Sequence, residues 1–297
     1  MKNIFPLAAS AALITSASAT VTMDWVTIGN ANNAADQLTG YGIVDHTYRI
    51  GKYEVTNAQY GEFLNAKGQS NANGIYNSSM STYGIITQTG ISGSFSYTVT
   101  TALAKRPVVY VSWFDAARFA NWMMNGQGNA SMETGAYPLN NATTGIITAN
   151  IGAQVYIPSE NEWYKAAYYN AANASYSLYP NGQNTITTAD ANYSYSINST
   201  TDVGTYSNDA SSYGTYDQGG NVWELNDAVI SGLTRGLRGG SWFSGEKLLR
   251  ASRPGDIDPS SEDNNGVGFR VASAVPEPTS IVLTMLAGGT MFIRRKR

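Results

Sequence analysis

Residues 213–224 read Tyr-Gly-Thr-Tyr-Asp-Gln-Gly-Gly-Asn-Val-Trp-Glu. Asp217, Asn221 and Glu224 place hard oxygen donors within eight positions. Gly214, Gly219 and Gly220 permit backbone angles closed to other residues, so the loop can turn carbonyls inward. Flexible, oxygen-rich loops are what calcium requires. The spacing is not that of a regular EF-hand. A tight turn anchored by Trp223, its polar groups facing water, is the other reading. Residue types alone leave both open.

Other chemistry is narrower. The 297-residue chain has no cysteine and one histidine, His46. Disulfides, thiolate metal sites and thiol nucleophiles are therefore excluded. His46 lies in a polar stretch and reads as an exposed loop residue. The net charge is −3 and the pI about 5.2. No basic field exists to hold a phosphate backbone, so nucleic acid is not an expected partner. Hydrophobic residues make up 42% of the chain and support a real core, whereas charged residues make up 13%. A typical domain carries about a quarter, so Asn, Ser, Thr, Gly and Tyr must cover much of the surface.

The positioning elements are short. Asp24 to Ile28 and Tyr48 to Val55 read as strands. Thr56 with Gln59 makes a capping box, opening a helix with Tyr60, Phe63 and Leu64 on one face and ending at Gly68. Ile91 to Thr101 suggests a hairpin and Val108 to Val111 an apolar strand. Ser112 with Asp115 caps a second helix, and Ser159 with Glu162 a third, which ends near Asn170. Val155 to Pro158, Leu237 to Phe243, Leu248 to Ser252 and Val267 to Ala272 read as further strands. Tyr168, Tyr169, Tyr176 and Tyr179 read either as interior packing or as a platform for stacking sugars. Asp256, Asp258, Glu262 and Asp263 read as a solvated acidic loop or a weak cation site. Scattered short helices and strands joined by long loops give an α+β domain.

Both ends read as address labels. Residues 1–19 have a positive start, a short apolar run and a small-residue Ala17-Ser-Ala19 cleavage site, the pattern of a signal peptide. Residues 275–297 carry Pro-Glu-Pro, an apolar run from Ile281 to Ile293 and a basic end. The four terminal cations favour the cytoplasmic side, and the run is short for a permanent span. This tail resembles the bacterial PEP-CTERM sorting signal, which implies an exosortase-type processing protease and a membrane contact before cleavage. A plain tail anchor is the alternative. The domain between, residues 20–274, is expected in the cell envelope, at the surface or in an extracellular matrix.

The opening stretch resembles the Y-G-L-Y-D-x-x-G-N-V-W-E-W signature of the formylglycine-generating-enzyme, or sulfatase-modifying-factor, family. Tyr48-Arg-Ile-Gly-Lys-Tyr-Glu-Val-Thr-Asn-Ala-Gln-Tyr60, Arg106-Pro-Val-Val-Tyr-Val-Ser-Trp113, Ile157-Pro-Ser-Glu-Asn-Glu-Trp163, Arg238-Gly-Gly-Ser-Trp242 and Gly266-Val-Gly-Phe-Arg270 agree in order. The resemblance spans about residues 24–273. It implies a complex C-type-lectin-like fold with little regular structure and structural calcium. One calcium site would use the Asn221 side chain, the Glu224 carboxylate and carbonyls near Gly220 and Val222. A second would lie near Asn192 and Tyr193, but its carboxylate falls on Tyr195.

The family enzyme oxidises a sulfatase cysteine to formylglycine with two copper-binding cysteines, one in a G-G-S-x-x-C segment. Here that segment is Gly239-Gly-Ser-Trp-Phe-Ser244. Soft Cu(I) selects thiolates, so copper and this oxidase chemistry are not expected. Ser241 and Arg253 match substrate-pocket positions, and Leu225 replaces the second Trp of the signature. Ser244 as a nucleophile would need a base. The expected function is a non-catalytic module, a pseudoenzyme, that binds extracellular polysaccharide or an envelope protein. The alternative is an enzyme of the same superfamily with altered metal-dependent chemistry.

Overall fold

The computed structural model describes residues 20–207, 210–262 and 264–275. The signal-peptide and sorting-tail readings, residues 1–19 and 276–297, and Asp263 lie outside the described residues. No described helix is long and apolar enough to cross a membrane.

The strands are β1 (Trp25–Ile28), β2 (Tyr48–Gly51), β3 (Ile86–Thr89), β4 (Ser96–Val99), β5 (Val155–Tyr156), β6 (Tyr169–Asn170), β7 (Ser175–Tyr176), β8 (Trp223–Val229), β9 (Arg235–Arg238), β10 (Gly255–Ile257), β11 (Val267–Phe269) and β12 (Ala272–Ala274). The helices are α1 (Asn57–Lys67), α2 (Ser79–Thr82), α3 (Trp113–Met124) and α4 (Glu160–Tyr168). All three expected capping boxes form, at Thr56/Gln59, Ser112/Asp115 and Ser159/Glu162. Each satisfies two orphan amide donors at a helix start.

Two four-stranded sheets carry the fold. One has the order β1-β2-β12-β5, the other β10-β9-β8-β11, with β11 parallel to β8. The last two strands are neighbours in sequence but belong to different sheets. Arg270 and Val271 bridge them, so the chain crosses between sheets at that point. Two smaller pairs, β3-β4 and β6-β7, sit on the long connections. Between α1 and α3 the core is aromatic. Tyr60, Phe63, Phe119, Trp122 and Phe269 are buried and contact one another at ring separations of 5.3–6.4 Å. Edge-to-face geometry adds to the area such rings bury.

Several local expectations are corrected. The hairpin pairs Ile86–Thr89 with Ser96–Val99, so its turn lies where strand was expected. Val108 to Val111 is buried but forms no strand. The Val108 amide donates to the Val55 carbonyl and that of Tyr110 to Asn264, while Tyr110 itself turns left-handed at φ 62°. Residues Glu246–Leu249 form a 3₁₀ turn where a strand was expected. The last expected strand is two, split at Arg270. Tyr168, Tyr169 and Tyr179 are buried, which favours interior packing over a stacking platform.

Candidate functional site

The glycine-rich loop is tightly determined. Asp217 and Asn221 adopt left-handed backbone angles, φ 60° and 57°. Asp217 Oδ2 accepts from the Gly204 amide at 2.6 Å. The Asn221 amide donates to the Asn192 carbonyl at 2.8 Å, and Asn221 Oδ1 accepts from the Thr201 amide at 2.9 Å. Asn221 Nδ2 donates to Glu54 Oε1 at 3.2 Å. Gly220, at φ 84°, packs directly against the Asn192 carbonyl. The loop thus clamps residues 192–201 against the start of β8.

Glu224 is fully buried on β8, and both its oxygens are engaged. Arg270 donates Nε to Oε2 at 2.5 Å and Nη2 to Oε1 at 2.6 Å, and the Trp163 indole donates to Oε2 at 2.7 Å. Arg270 also donates to the carbonyls of Gly51 and Tyr216, each at 2.9 Å. One guanidinium therefore ties β2 of the first sheet, β8 of the second and the glycine loop. Buried Arg–carboxylate pairs with this forked geometry are the strong ones. Glu54 lies beside this pair, and its Oε2 has no hydrogen-bond partner. Burial, with the Asp217 and Glu224 carboxylates adding, pushes Glu54 well above the usual carboxylate range.

The residues expected to hold calcium lie close together here, at Gly220, Asn221, Val222 and Glu224. Their side-chain oxygens are spent on protein donors, and the Glu224 charge is already matched by Arg270. As folded, the set offers no free carboxylate to a cation. Among the described residues no group of three or more Asp, Glu or His side chains is arranged to hold a metal. Asp256 and Asp258 are exposed, in keeping with a solvated acidic loop.

Ser241 and Ser244, two of the residues read as a possible pocket, lie together in the interior and do not face an open pocket. Both are buried, their hydroxyls 3.1 Å apart, and Ser244 Oγ accepts from the Ser241 amide at 3.0 Å. Arg253 does not join them; it is exposed. A nucleophilic serine needs a base within hydrogen-bond reach. Ser244 has another hydroxyl instead.

The histidine is exposed, as expected, but it is engaged elsewhere. His46 Nδ1 contacts Asp45 at 2.8 Å and Nε2 contacts Glu162 at 3.1 Å. The Glu162 hydrogen bond, opposed by partial burial and reinforced by Asp45, raises its pKa from 6.5 to about 9. Glu162 moves the other way. Burial opposes its charge, but hydrogen bonds from His46, Tyr156 and Ser159 win and lower its pKa. An imidazolium held between two carboxylates has no lone pair to accept a proton.

A linkage prediction follows from His46. Its folded pKa lies above its unfolded one. The stability it contributes is therefore complete below about pH 6.5 and lost as pH rises to about 9. Melting temperatures measured across that window should fall with rising pH, and His46→Asn should flatten the profile there. Parallel profiles for the two proteins would refute the assignment.

An open cleft exists elsewhere, and sequence reasoning missed it. It is a cavity of about 270 Å³ between the start of α1, residues 83–85, residues 103–110 and the loop at 198–200. Tyr83 and Tyr110 form one wall, stacked at 5.5 Å with planes 9° apart, and Trp242 forms another. Trp242 packs edge-on against Tyr195 and Phe243. Arg106, Asn57 and Asn198 also line it. The cleft draws on segments far apart in the chain, so no local spacing announced it. Trp242, beside the serines in Gly239-Gly-Ser-Trp-Phe-Ser244, was the one available signal.

A family model for the sulfatase-modifying factor enzyme 1-like domain matches residues 15–275. The chain belongs to this family. Among solved structures it is similar to Treponema denticola variable protein 1, at 21% identity and a TM-score of 0.59, over 88% of this chain and 98% of that one. It is also similar to CarF, at 20% identity and a TM-score of 0.58, over 86% and 100% of the two chains. PvdO from Pseudomonas aeruginosa aligns at 19% identity and a TM-score of 0.52, over 85% and 92%. No curated protein sequence matches. At these identities the structural likeness establishes the fold, a mixed α+β arrangement of the C-type-lectin-like kind, and leaves activity to the site itself. Ser244 is buried against Ser241, and the sequence contains no cysteine.

Proposed function

We propose that this sulfatase-modifying-factor domain is a non-catalytic exported binding module for matrix polysaccharide or an envelope protein. The observation that carries this reading is the closed serine pair. The position that would need a thiolate for copper holds Ser244, its hydroxyl turned onto Ser241, and the lone histidine is clamped between carboxylates. Hydroxyls cannot replace thiolates on soft copper. Export is supported by the sequences of the two chain ends, including the Pro-Glu-Pro tail suited to an exosortase-type protease. We further propose that the Arg270–Glu224 pair organises the glycine loop in place of calcium.

Two assays test this. Purified chain supplied with copper should leave a cysteine-containing sulfatase peptide unconverted by mass spectrometry. The same chain should bind extracted envelope material with a saturable isotherm. Conversion to formylglycine, or a redox-active metal copurifying at a fixed ratio per chain, would favour the enzyme reading. An isotherm that never rises would remove the binding reading.

A further inference from the structure

Two residues that line the aromatic cleft each hold one buried polar atom without a hydrogen-bond partner. Asn57 is 2% exposed, its Nδ2 donates to the Leu103 carbonyl, and its Oδ1 has no partner. Arg106 donates Nη1 to Ser199 Oγ, but its Nε has no hydrogen-bond partner, the Asp202 carboxylate standing 4.0 Å away. Buried polar atoms without partners are rare in folded proteins. An acceptor and a cationic donor on one cleft suit a ligand that carries both hydroxyls and a negative charge.

The walls point to the rest of that ligand. Tyr83 is 64% exposed, so the ring face turned away from Tyr110 is open to solvent. Tyr110 is held at φ 62°, a conformation costly for a bulky side chain. Ser194, Tyr195 and Asn198 are also left-handed, and Ser194 and Tyr195 are tied by their amides to the carbonyls of Ser244 and Trp242. Strain of this kind persists where surrounding structure over-determines it, and it clusters at ligand clamps. Aromatic rings in the lining, with amide and guanidinium groups beside them, match a sugar ring, apolar on its C–H faces and polar at its edge. The cavity lies just under the roughly 300–1,000 Å³ of sites for drug-sized ligands.

We infer that the Tyr83/Tyr110/Trp242 cleft binds a saccharide bearing a carboxylate, its ring against the aromatic walls and its carboxylate on Arg106. This rests on the binding-module reading and specifies its ligand class. Arg106 is the one charged side chain lining the cleft among the described residues. The guanidinium fork gives a carboxylate an advantage over a neutral sugar despite the chain's net negative charge.

The test is titration calorimetry of the full chain with uronic-acid oligosaccharides and with neutral glucose oligosaccharides. The uronate series should bind at least about tenfold more tightly than the neutral one. Tyr83→Ala and Arg106→Gln should each weaken uronate binding by about tenfold. Tyr83 is exposed, so its variant keeps the fold even where Arg106→Gln does not. Equal binding of both series, or uronate binding unchanged in Tyr83→Ala, overturns the inference. Retention of extracted envelope material is measured in parallel. Wild type that retains this material but binds neither oligosaccharide refutes the cleft assignment and leaves the module reading standing. Wild type that retains nothing removes both.

Discussion

Arg270→Leu is expected to destabilise the protein by about 3–5 kcal/mol, the cost of removing one partner from a buried ion pair. Leucine would leave Glu224 fully buried with only the Trp163 indole as donor. The carbonyls of Gly51 and Tyr216 would also lose their guanidinium donor. For a domain of this size the drop in Tm is about 6–20 °C. A double variant, Arg270→Leu with Glu224→Leu, should recover part of the loss, because it removes the unpaired charge. Chemical denaturation of the three proteins checks this. A loss for Arg270→Leu below about 1 kcal/mol would place the pair in the range of surface ion pairs and remove its role as the staple between the sheets.

Gly220→Ala should cost about 3 kcal/mol, the upper end for a residue held in a strained conformation. Two effects combine. At φ 84° a side chain is strained whatever the space, and a Cβ there would lie closer than 3.0 Å to the Asn192 carbonyl oxygen. That oxygen is backbone and already accepts from the Asn221 amide, so it cannot yield without moving the loop at 192–201. Gly214 supplies the control. It sits in the same motif at φ 90°, with nothing within 4 Å of a Cβ. Gly214→Ala should therefore cost only the backbone term, about 1–2 kcal/mol. Equal losses for the two substitutions, measured by denaturation, would show that the close approach contributes nothing.

The contrast between these residues explains what was legible in the sequence. The three capped helices were readable because a capping box is local chemistry, a Ser or Thr three residues before a Gln, Asp or Glu. β8 was not readable. It is the longest strand, yet Trp223–Val229 carries Glu224, Asn226 and Asp227 through the interior. Two of those groups are satisfied by distant partners, Glu224 by Arg270 and Asn226 by Glu160, and Asp227 by Arg235 on the neighbouring strand. A local pattern sees polar residues beside glycines and reads a loop. The same long-range pairing spends the carboxylate that calcium would have needed. Ser241 and Ser244 were placed together by their motif, but only the fold shows that they close on each other. Arg253 was carried over by position, and its exposure separates it from them. The cleft was out of reach because Tyr83, Tyr110 and Trp242 meet only through the packing of distant segments.

The most direct measurement is capture of extracted envelope polysaccharide and protein on immobilised full chain, run in calcium and again in chelator. The account predicts specific, saturable capture of equal strength in both, because Arg270 rather than a cation holds Glu224 and the loop it ends. Capture that disappears on chelation would contradict the ion pair's role and restore a metal to the glycine loop. No capture in either condition would contradict the binding function itself.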